Sequence, residues 1–331
     1  MDLSIIIVNW NSIDFTRACI ASIRASVRDL DYEVIVVDNA SHDDIRCLLP
    51  GTLLSLKLVH SPTNLGFAGA NNLGFNHSRG NKLLFLNPDT LILGDAIQKM
   101  VSALDSSPEI GVVGCRLLNR DLSLQTSCVQ PFPTISNQVF ALDWIQRRWP
   151  RWSLLGIRPL TGDPDGIHEV EVVSGACFMV KRDVFETVGG FSTEYFLYAE
   201  EADLCYCIRR ASWKVCHVGN ANIVHFGGES SKSNGDSFSD VVMRESVFKL
   251  LRKFRGRTYA YLYRACILIS AVLRLIVLAP LLALPSSMTN RASVLRACRK
   301  WRSIASWSLA LEGWTQNLGK GSNPSPRTAT N

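Results

Sequence analysis

The chain has 331 residues, with 35 Lys and Arg against 29 Asp and Glu, a formal charge of +6, and 47% hydrophobic and 19% charged residues. That balance allows a sizeable buried core and one large domain with an appendage, and it excludes wholesale disorder, collagen-like or mucin-like polymers and a small disulfide scaffold. The charge is divided, since residues 1–243 hold 20 basic and 27 acidic side chains while 244–331 hold 15 and 2, which argues against nucleic acid as a partner and assigns the basic character to the tail.

Residues 3–8 form a short apolar run without a basic leader, continuing into Asn9-Trp10-Asn11, and read as a core strand rather than a secretory signal. Residues 33–37, 56–60 and 82–86 read as further strands, with helices at 15–26 and 95–104 where apolar residues recur at three-and-four spacing. Strand alternating with helix predicts a parallel α/β sheet. In such sheets ligands gather at the carboxyl ends of the strands. Here those ends carry Asn9 and Asn11, Asp38 and Asn39, Asn64, then Asn87 and Asp89. Asn and Asp are also ordinary turn residues, so the coincidence of four polar strand ends counts for more than any one of them.

Farther on, a strand is expected at 108–113, a long loop without periodicity at 131–164, a strand over 170–180, a short helix at 182–188, a helix at 200–211 and two short strands at 213–218 and 221–225. The ten cysteines lie in apolar runs without paired CxxC spacing, as expected of reduced, mostly buried thiols in a cytosolic protein.

Three strings can carry chemistry. Asp89, fixed at a strand end by Pro88, and His225, at the end of the last strand, can together hold a divalent cation, Mn²⁺ or Mg²⁺; a capping Asp and a core His would look the same locally. Glu200-Glu201-Ala202-Asp203 follows the aromatic run Tyr195-Phe196-Leu197-Tyr198. It reads either as dipole complementation or as a general base whose pKa is lifted by an apolar wall and like charge. The Gly- and Asn-rich stretch from Asn64 to Gly74 fits neither the dinucleotide fingerprint nor the Walker spacing.

In this order, the strings IIIVNWN, VVDNAS, NLGFAGANN, FLNPDT, SGACFMVKRDVFETVGGF, YAEEADLCYCIRRASW and VHFGGESS, spread over residues 3–231, resemble the inverting family-two glycosyltransferases, especially the rhamnosyltransferase-like branch of bacterial polysaccharide assembly. The resemblance implies a GT-A nucleotide-diphospho-sugar fold, a Rossmann-like mixed sheet flanked by helices, over residues 1–230. Asp38 would contact the base with Asn9 and Asn11 at the nucleotide, and Asn64, Gly66 and Asn71 would line the nucleotide and sugar. Asn87 would stand for the first Asp of the wider metal motif, with Asp89 as the principal metal carboxylate and His225 closing the metal site. Glu201 matches the family's base, one methylene longer than the usual Asp, and Glu200 would orient the acceptor. Ala70 and Phe226 stand where Gly and a second His are frequent.

The implied donor is a nucleotide-sugar, dTDP-rhamnose ahead of a UDP-sugar, and the implied acceptor a saccharide or lipid-linked saccharide. Two rival readings are a non-catalytic nucleotide-sugar-binding partner and a nucleotidyltransferase. The latter is disfavoured because the amino terminus lacks a basic, Gly-rich activating loop.

After a polar linker at 231–243, residues 244–318 are basic and apolar, and 319–331 read as a disordered tail. The apolar run 265–285 is long enough to span a bilayer, but Arg274 and Pro280 interrupt it, so a helix or broken hairpin in the interface is expected. Arg244, Lys249, Arg252, Lys253, Arg255 and Arg257 would dock residues 244–302 on anionic lipid, with Tyr259, Tyr261, Tyr263, Trp301, Trp307 and Trp314 as an interfacial belt. The expected place is the cytoplasmic face of the bacterial inner membrane, peripheral or monotopic. The stretch from Trp144 to Trp152 interleaves three Trp with three Arg, a composition suited to a lipid-diphosphate acceptor or to packing on its own domain.

Overall fold

The computed structural model describes residues 1–48, 55–140, 163–227, 236–283 and 290–311. The Trp144–Trp152 stretch, Trp314 and the 319–331 tail lie outside the described residues.

Chain order gives β1 (Leu3–Asn9), α1 (Ile13–Ser26), β2 (Tyr32–Asn39), β3 (Leu56–Ser61), α2 (Gly66–Asn76), β4 (Lys82–Leu86), β5 (Thr90–Ile92), α3 (Ala96–Asp105) and β6 (Ile110–Leu118). After them come β7 (Val129–Gln130), α4 (Ile135–Val139), β8 (Ile167–Glu169), β9 (Val172–Val173), β10 (Cys177–Lys181), α5 (Arg182–Thr187), α6 (Glu200–Arg210) and β11 (Lys214–His225). Three longer helices close the order: α7 (Asp236–Arg255), α8 (Arg257–Leu278) and α9 (Arg291–Ser308).

The main sheet runs β3-β2-β1-β4-β10-β6-β11-β5, with β8 pairing β11. Its first four strands are parallel, as the strand–helix alternation predicts. The second half makes the sheet mixed, because β10 lies antiparallel to both β4 and β6, while β11 runs parallel to β6. Ile5, Ile6, Ile7, Val34, Ile35 and Val36 are fully buried, as expected of parallel strands covered on both faces. Helix α2 lies close on this sheet because Gly74 carries no side chain: a Cβ there would stand 2.4 Å from the Cγ2 of Ile6.

Two expectations change at irregular backbone. Residues 170–180 are not one strand, since Ser174-Gly175-Ala176 separates β9, which pairs β7 in a small second sheet, from β10 in the main one. Conversely, 213–218 and 221–225 are one strand, β11, whose register slips between Val218 and Asn222; the bulge keeps the ladder going through Gly219.

The C-terminal helices pack as a layer on the second half of the sheet domain. Helix α7 begins at Asp236, inside the stretch that reads as a polar linker. Its Leu250 is buried in the same core as the sheet, and Phe254 stacks on Tyr206 of α6 with ring centroids 4.2 Å apart. Helices α7, α8 and α9 share a further core that includes Phe248, Tyr263, Ile267 and Trp307. The interfacial-belt expectation therefore fails for Tyr263 and Trp307. Both are fully buried, and the Trp307 indole N–H donates to Glu245 at 2.8 Å.

Candidate active site

The first wall of the site is a rung of three strand ends. Asn9, Asp38 and His60 are register partners across β1, β2 and β3. Asp38 is buried, its Oδ2 lies 2.9 Å from His60 Nδ1, and its Oδ1 accepts from the Ser41 N–H. Asn11, at φ 51° in the left-handed region, accepts from the His42 N–H at 2.8 Å and from the Ser41 hydroxyl. Asn9 is fully buried and spends its side chain on the chain itself, accepting from Ser12 and Thr16. Asp38 and Asn11 thus edge this end of the sheet, and Asn9 braces the loop beneath them.

The second wall is the start of α2. Asn64 Oδ1 accepts from the Gly66 N–H and from the side-chain amide of buried Asn39, which in turn accepts from the Leu65 N–H. Gly66 has φ +71°, and a Cβ on it would stand 2.4 Å from the Phe196 carbonyl oxygen, so only glycine fits between these two backbones. The next N–H, of Phe67, donates to that carbonyl at 3.3 Å. Asn71 is buried and donates back to the Phe67 carbonyl.

The third wall holds Asp89. The Asn87 N–H donates to the Ala176 carbonyl, the Asn87 carbonyl accepts from the Thr90 hydroxyl, and the Phe226 N–H donates to the Asp89 carbonyl. Strand β5 then pairs β11 so that Thr90 lies opposite His225. Asp89 is buried, and its Oδ1 lies 3.5 Å from His225 Nε2. Gln125 settles the imidazole: its amide nitrogen donates to the His225 carbonyl at 2.6 Å, which turns its oxygen toward Nδ1 at 3.0 Å. In the neutral ring this contact places the proton on Nδ1 and turns the Nε2 lone pair toward the carboxylate. Two acceptors facing each other in a buried corner suit a cation. Among the described residues no three His, Cys, Asp or Glu side chains gather to hold a metal, and Asp89 with His225 offers two candidate ligands.

The fourth wall is α6. Tyr198 and Ala199, at φ 69° and 70°, both occupy the left-handed region, a strain of about 1 kcal/mol or more each that surrounding contacts must hold. Those contacts are the Phe67 N–H and the Ser246 hydroxyl, on the carbonyls of Phe196 and Leu197. The turn delivers Glu200 and Glu201 as the first residues of the helix. Glu200 is buried with Oε2 unpartnered, and desolvation, then the charge of Glu201, pushes its carboxyl well above the usual range. Desolvation raises Glu201 as well. Its side chain lies against Gly175, whose neighbour Ala176 receives the Asn87 N–H. One peptide therefore separates the Glu201 carboxyl from the loop that ends in Asp89.

Asp38, Asn11, Asn64, Gly66, Asp89 and His225 thus lie at or just beyond strand ends and Glu200 and Glu201 open α6, while Asn9 and Asn71 turn their side chains onto the chain itself. His60, Gln125 and Lys253 are groups around this site that the sequence reading does not single out for it, whereas Asn39 stands there among the polar strand ends. A strand-end signal existed for His60 and Asn39; for the other two there was none.

The chain matches the family model for glycosyl transferase family 2 over residues 4–189. It is 28% identical over 228 residues to the low-salt glycan biosynthesis hexosyltransferase Agl10 of Haloferax volcanii, covering 67% of this chain and 66% of that protein. It is 26% identical over 211 residues to the N-acetylglucosaminyl-diphospho-decaprenol L-rhamnosyltransferase of Mycobacterium tuberculosis, covering 60% of this chain and 67% of that one. The chain thus spans about two thirds of the length of these relatives. The mannosyltransferase PcManGT of Pyrobaculum calidifontis, solved with GDP-Man and Mn²⁺, superposes with a TM-score of 0.56 at 17% identity, covering 94% of this chain and 86% of that one, a likeness of fold. With a mixed sheet of GT-A type and more than half its length within the family match, the chain belongs to glycosyl transferase family 2.

Proposed function

We propose that the chain is an inverting glycosyltransferase of cell-surface polysaccharide synthesis at the cytoplasmic face of a bacterial inner membrane. It moves rhamnose from dTDP-rhamnose, ahead of other sugars from UDP donors, to a saccharide or lipid-linked saccharide. The observation that carries the reading is the pair of raised carboxyls at buried Glu200 and half-buried Glu201, one peptide from the Asp89 loop. Likeness to the N-acetylglucosaminyl-diphospho-decaprenol L-rhamnosyltransferase of Mycobacterium tuberculosis supports both rhamnose and a lipid diphosphate acceptor.

In this reading Asp38, held by His60 and Ser41, receives the nucleotide base beside Asn11, with Asn9 bracing the loop. Asn64 and Asn39 fix Gly66, so that α2 starts against the donor, and Asn71 stiffens its first turn. Asn87 positions Asp89 through its bond to Ala176. Asp89 and His225 would hold Mn²⁺ or Mg²⁺, which when bound would supply positive charge against the departing diphosphate. Glu201 takes the proton of the acceptor hydroxyl as that oxygen bonds to the anomeric carbon. The bond to the nucleotide diphosphate breaks on the opposite face, which inverts the centre without a covalent enzyme intermediate. A carboxyl lifted by burial is a stronger base than an ordinary one. Glu200 orients the acceptor from the adjacent position.

The test is sugar transfer by the purified full chain from dTDP-rhamnose, UDP-sugars and GDP-sugars to a lipid-linked acceptor with Mn²⁺, with the anomeric configuration of the product read by NMR. Transfer from dTDP-rhamnose with inversion supports the proposal. Transfer with retention contradicts the mechanism, and a cell whose glycan survives Glu201→Gln points to a non-catalytic binding partner.

A further inference from the structure

Helix α8 is apolar on two faces, and only one of them is used inside the protein. At 100° per residue, Ala260, Tyr263, Ile267 and Ala271 line one side and are buried against α7 and α9. Leu262, Ile269, Val272, Leu273, Ile276 and Val277 line the other and are exposed, Ile276 at 63% and Val277 at 67%.

The charges of α8 do not interrupt that outer face. Arg264 reaches inward, its Nη2 donating to the Trp307 carbonyl at 2.7 Å and its guanidinium lying 4.8 Å from that indole ring. Arg274, which in the sequence breaks the apolar run, lies over the Trp301 ring at 4.1 Å and donates to the Val139 carbonyl. Exposed positive charge lies nearby: Arg252, Arg255 and Arg257 at the junction of α7 and α8, at the amino end of the face, and Arg296, Arg299 and Arg302 on α9, which packs against α8.

A contiguous apolar face of this kind with positive charge nearby fits an anionic lipid surface. A second copy of the chain would bring the same arginines against each other. At 22 residues and an apolar window with mean hydropathy 2.5, α8 is long enough to cross a bilayer. Crossing would strip Tyr263 and Ile267 from Trp307 and carry Arg264 and Arg274 into hydrocarbon, where charge is costly.

We propose that α8 docks on anionic lipid with its axis in the membrane plane, through the face of Leu262, Ile269, Leu273 and Ile276; this rests on the reading of a lipid-linked acceptor. Because α7 is bonded to Leu197 and Asp203, the docked helix sets the position of the Glu201 turn relative to the lipid surface. The acceptor diphosphate then meets the site from the membrane side.

The experiment is flotation of the full chain with vesicles of phosphatidylglycerol and phosphatidylcholine or of phosphatidylcholine alone. It is run for the wild type, Ile269→Glu/Leu273→Glu/Ile276→Glu and Arg252→Gln/Arg255→Gln/Arg257→Gln, with thermal unfolding and transfer to a water-soluble acceptor measured on each. The expected result is flotation with the anionic vesicles, reduced about tenfold or more in both variants while unfolding and soluble transfer hold. Wild type that transfers sugar but does not float, or a triple Glu variant that floats as well as wild type, overturns the docking proposal. So does retention on cell membranes through alkaline carbonate washing, which marks a span, or a solution dimer that the Glu substitutions dissociate without changing flotation. Wild type that floats but transfers no sugar from any donor overturns the functional reading and leaves the docking intact.

Discussion

Lys253 Nζ, on α7, lies 2.7 Å from the Oδ2 of Asp203, in the first turns of the helix that carries Glu201. The same oxygen accepts from the Tyr195 hydroxyl at 2.6 Å. A basic tail thereby neutralises a buried acid of α6, and the aromatic run before Glu200 is tied to the same point. Lys249 donates to the Glu194 carbonyl and Arg244 to Gln138, so three of the six cations that sequence assigns to lipid are turned toward the protein. The lysine is one third exposed, so Lys253→Met is expected to cost about 2 kcal/mol, less than the loss of a fully buried partner. Chemical denaturation of Lys253→Met, Asp203→Asn and the double variant checks this, with coupling between the two sites as the expected sign of a direct pair.

Gln125 holds the imidazole of His225 from a loop a hundred positions earlier in the chain. Outer groups that fix a ligating histidine typically govern metal affinity by ten- to a hundredfold. Gln125→Ala is expected to weaken Mn²⁺-dependent nucleotide binding by about that factor, with nucleotide binding in chelator unchanged. Calorimetric titration in the two conditions separates a metal-linked loss from a general one.

For Glu201, replacement by Gln removes the base and keeps the shape. Turnover is expected to fall by about 10²- to 10⁴-fold, the usual contribution of a general base, with little change in donor affinity. Glu201→Asp, which shortens the arm by one methylene, is expected to retain measurable turnover. Single-turnover rates with saturating donor report both, and equal rates for wild type and Glu201→Gln would remove the residue from catalysis.

Glu200 provides a test in stability rather than rate. Its carboxyl is raised in the folded chain, so the folded state favours the protonated form. The stability this confers is full below the unfolded value of about 4.3 and is lost as pH rises from there. Glu200→Gln should therefore leave Tm nearly unchanged near about pH 4 and raise it progressively as the pH climbs above that. A Tm difference that does not grow with pH would show that the buried carboxyl carries no such penalty.

The parallel half of the sheet was legible because β1, β2 and β4 contain the apolar runs Ile5–Val8, Val34–Val37 and Leu83–Leu86, each followed directly by Asn or Asp, a pattern that marks the strands and their carboxyl ends together. The break at Ser174-Gly175-Ala176 and the slip in β11 were not, because both lie inside apolar stretches whose composition stays strand-like while the pairing partner changes. Lys253 is indistinguishable in sequence from Arg252 and Arg255; only the packing of α7 on α6 selects it for Asp203. Tyr263 and Trp307 failed as interfacial residues for a related reason, since an aromatic ring with a polar tip suits a lipid headgroup layer and a buried helix contact equally well.

The central claim is that Asp89 and His225 form the cation corner of a nucleotide-sugar site. It is tested most directly by thermal unfolding of the wild type and Asp89→Ala with dTDP, UDP, GDP and CMP, each with Mn²⁺, Mg²⁺ or chelator. Saturation at about a hundred times the dissociation constant stabilises by about 2.7 kcal/mol. The account predicts a rise in Tm for dTDP with Mn²⁺ or Mg²⁺ that disappears in chelator and in Asp89→Ala. A folded wild type that no nucleotide stabilises, or a metal-dependent shift that survives Asp89→Ala, would contradict it.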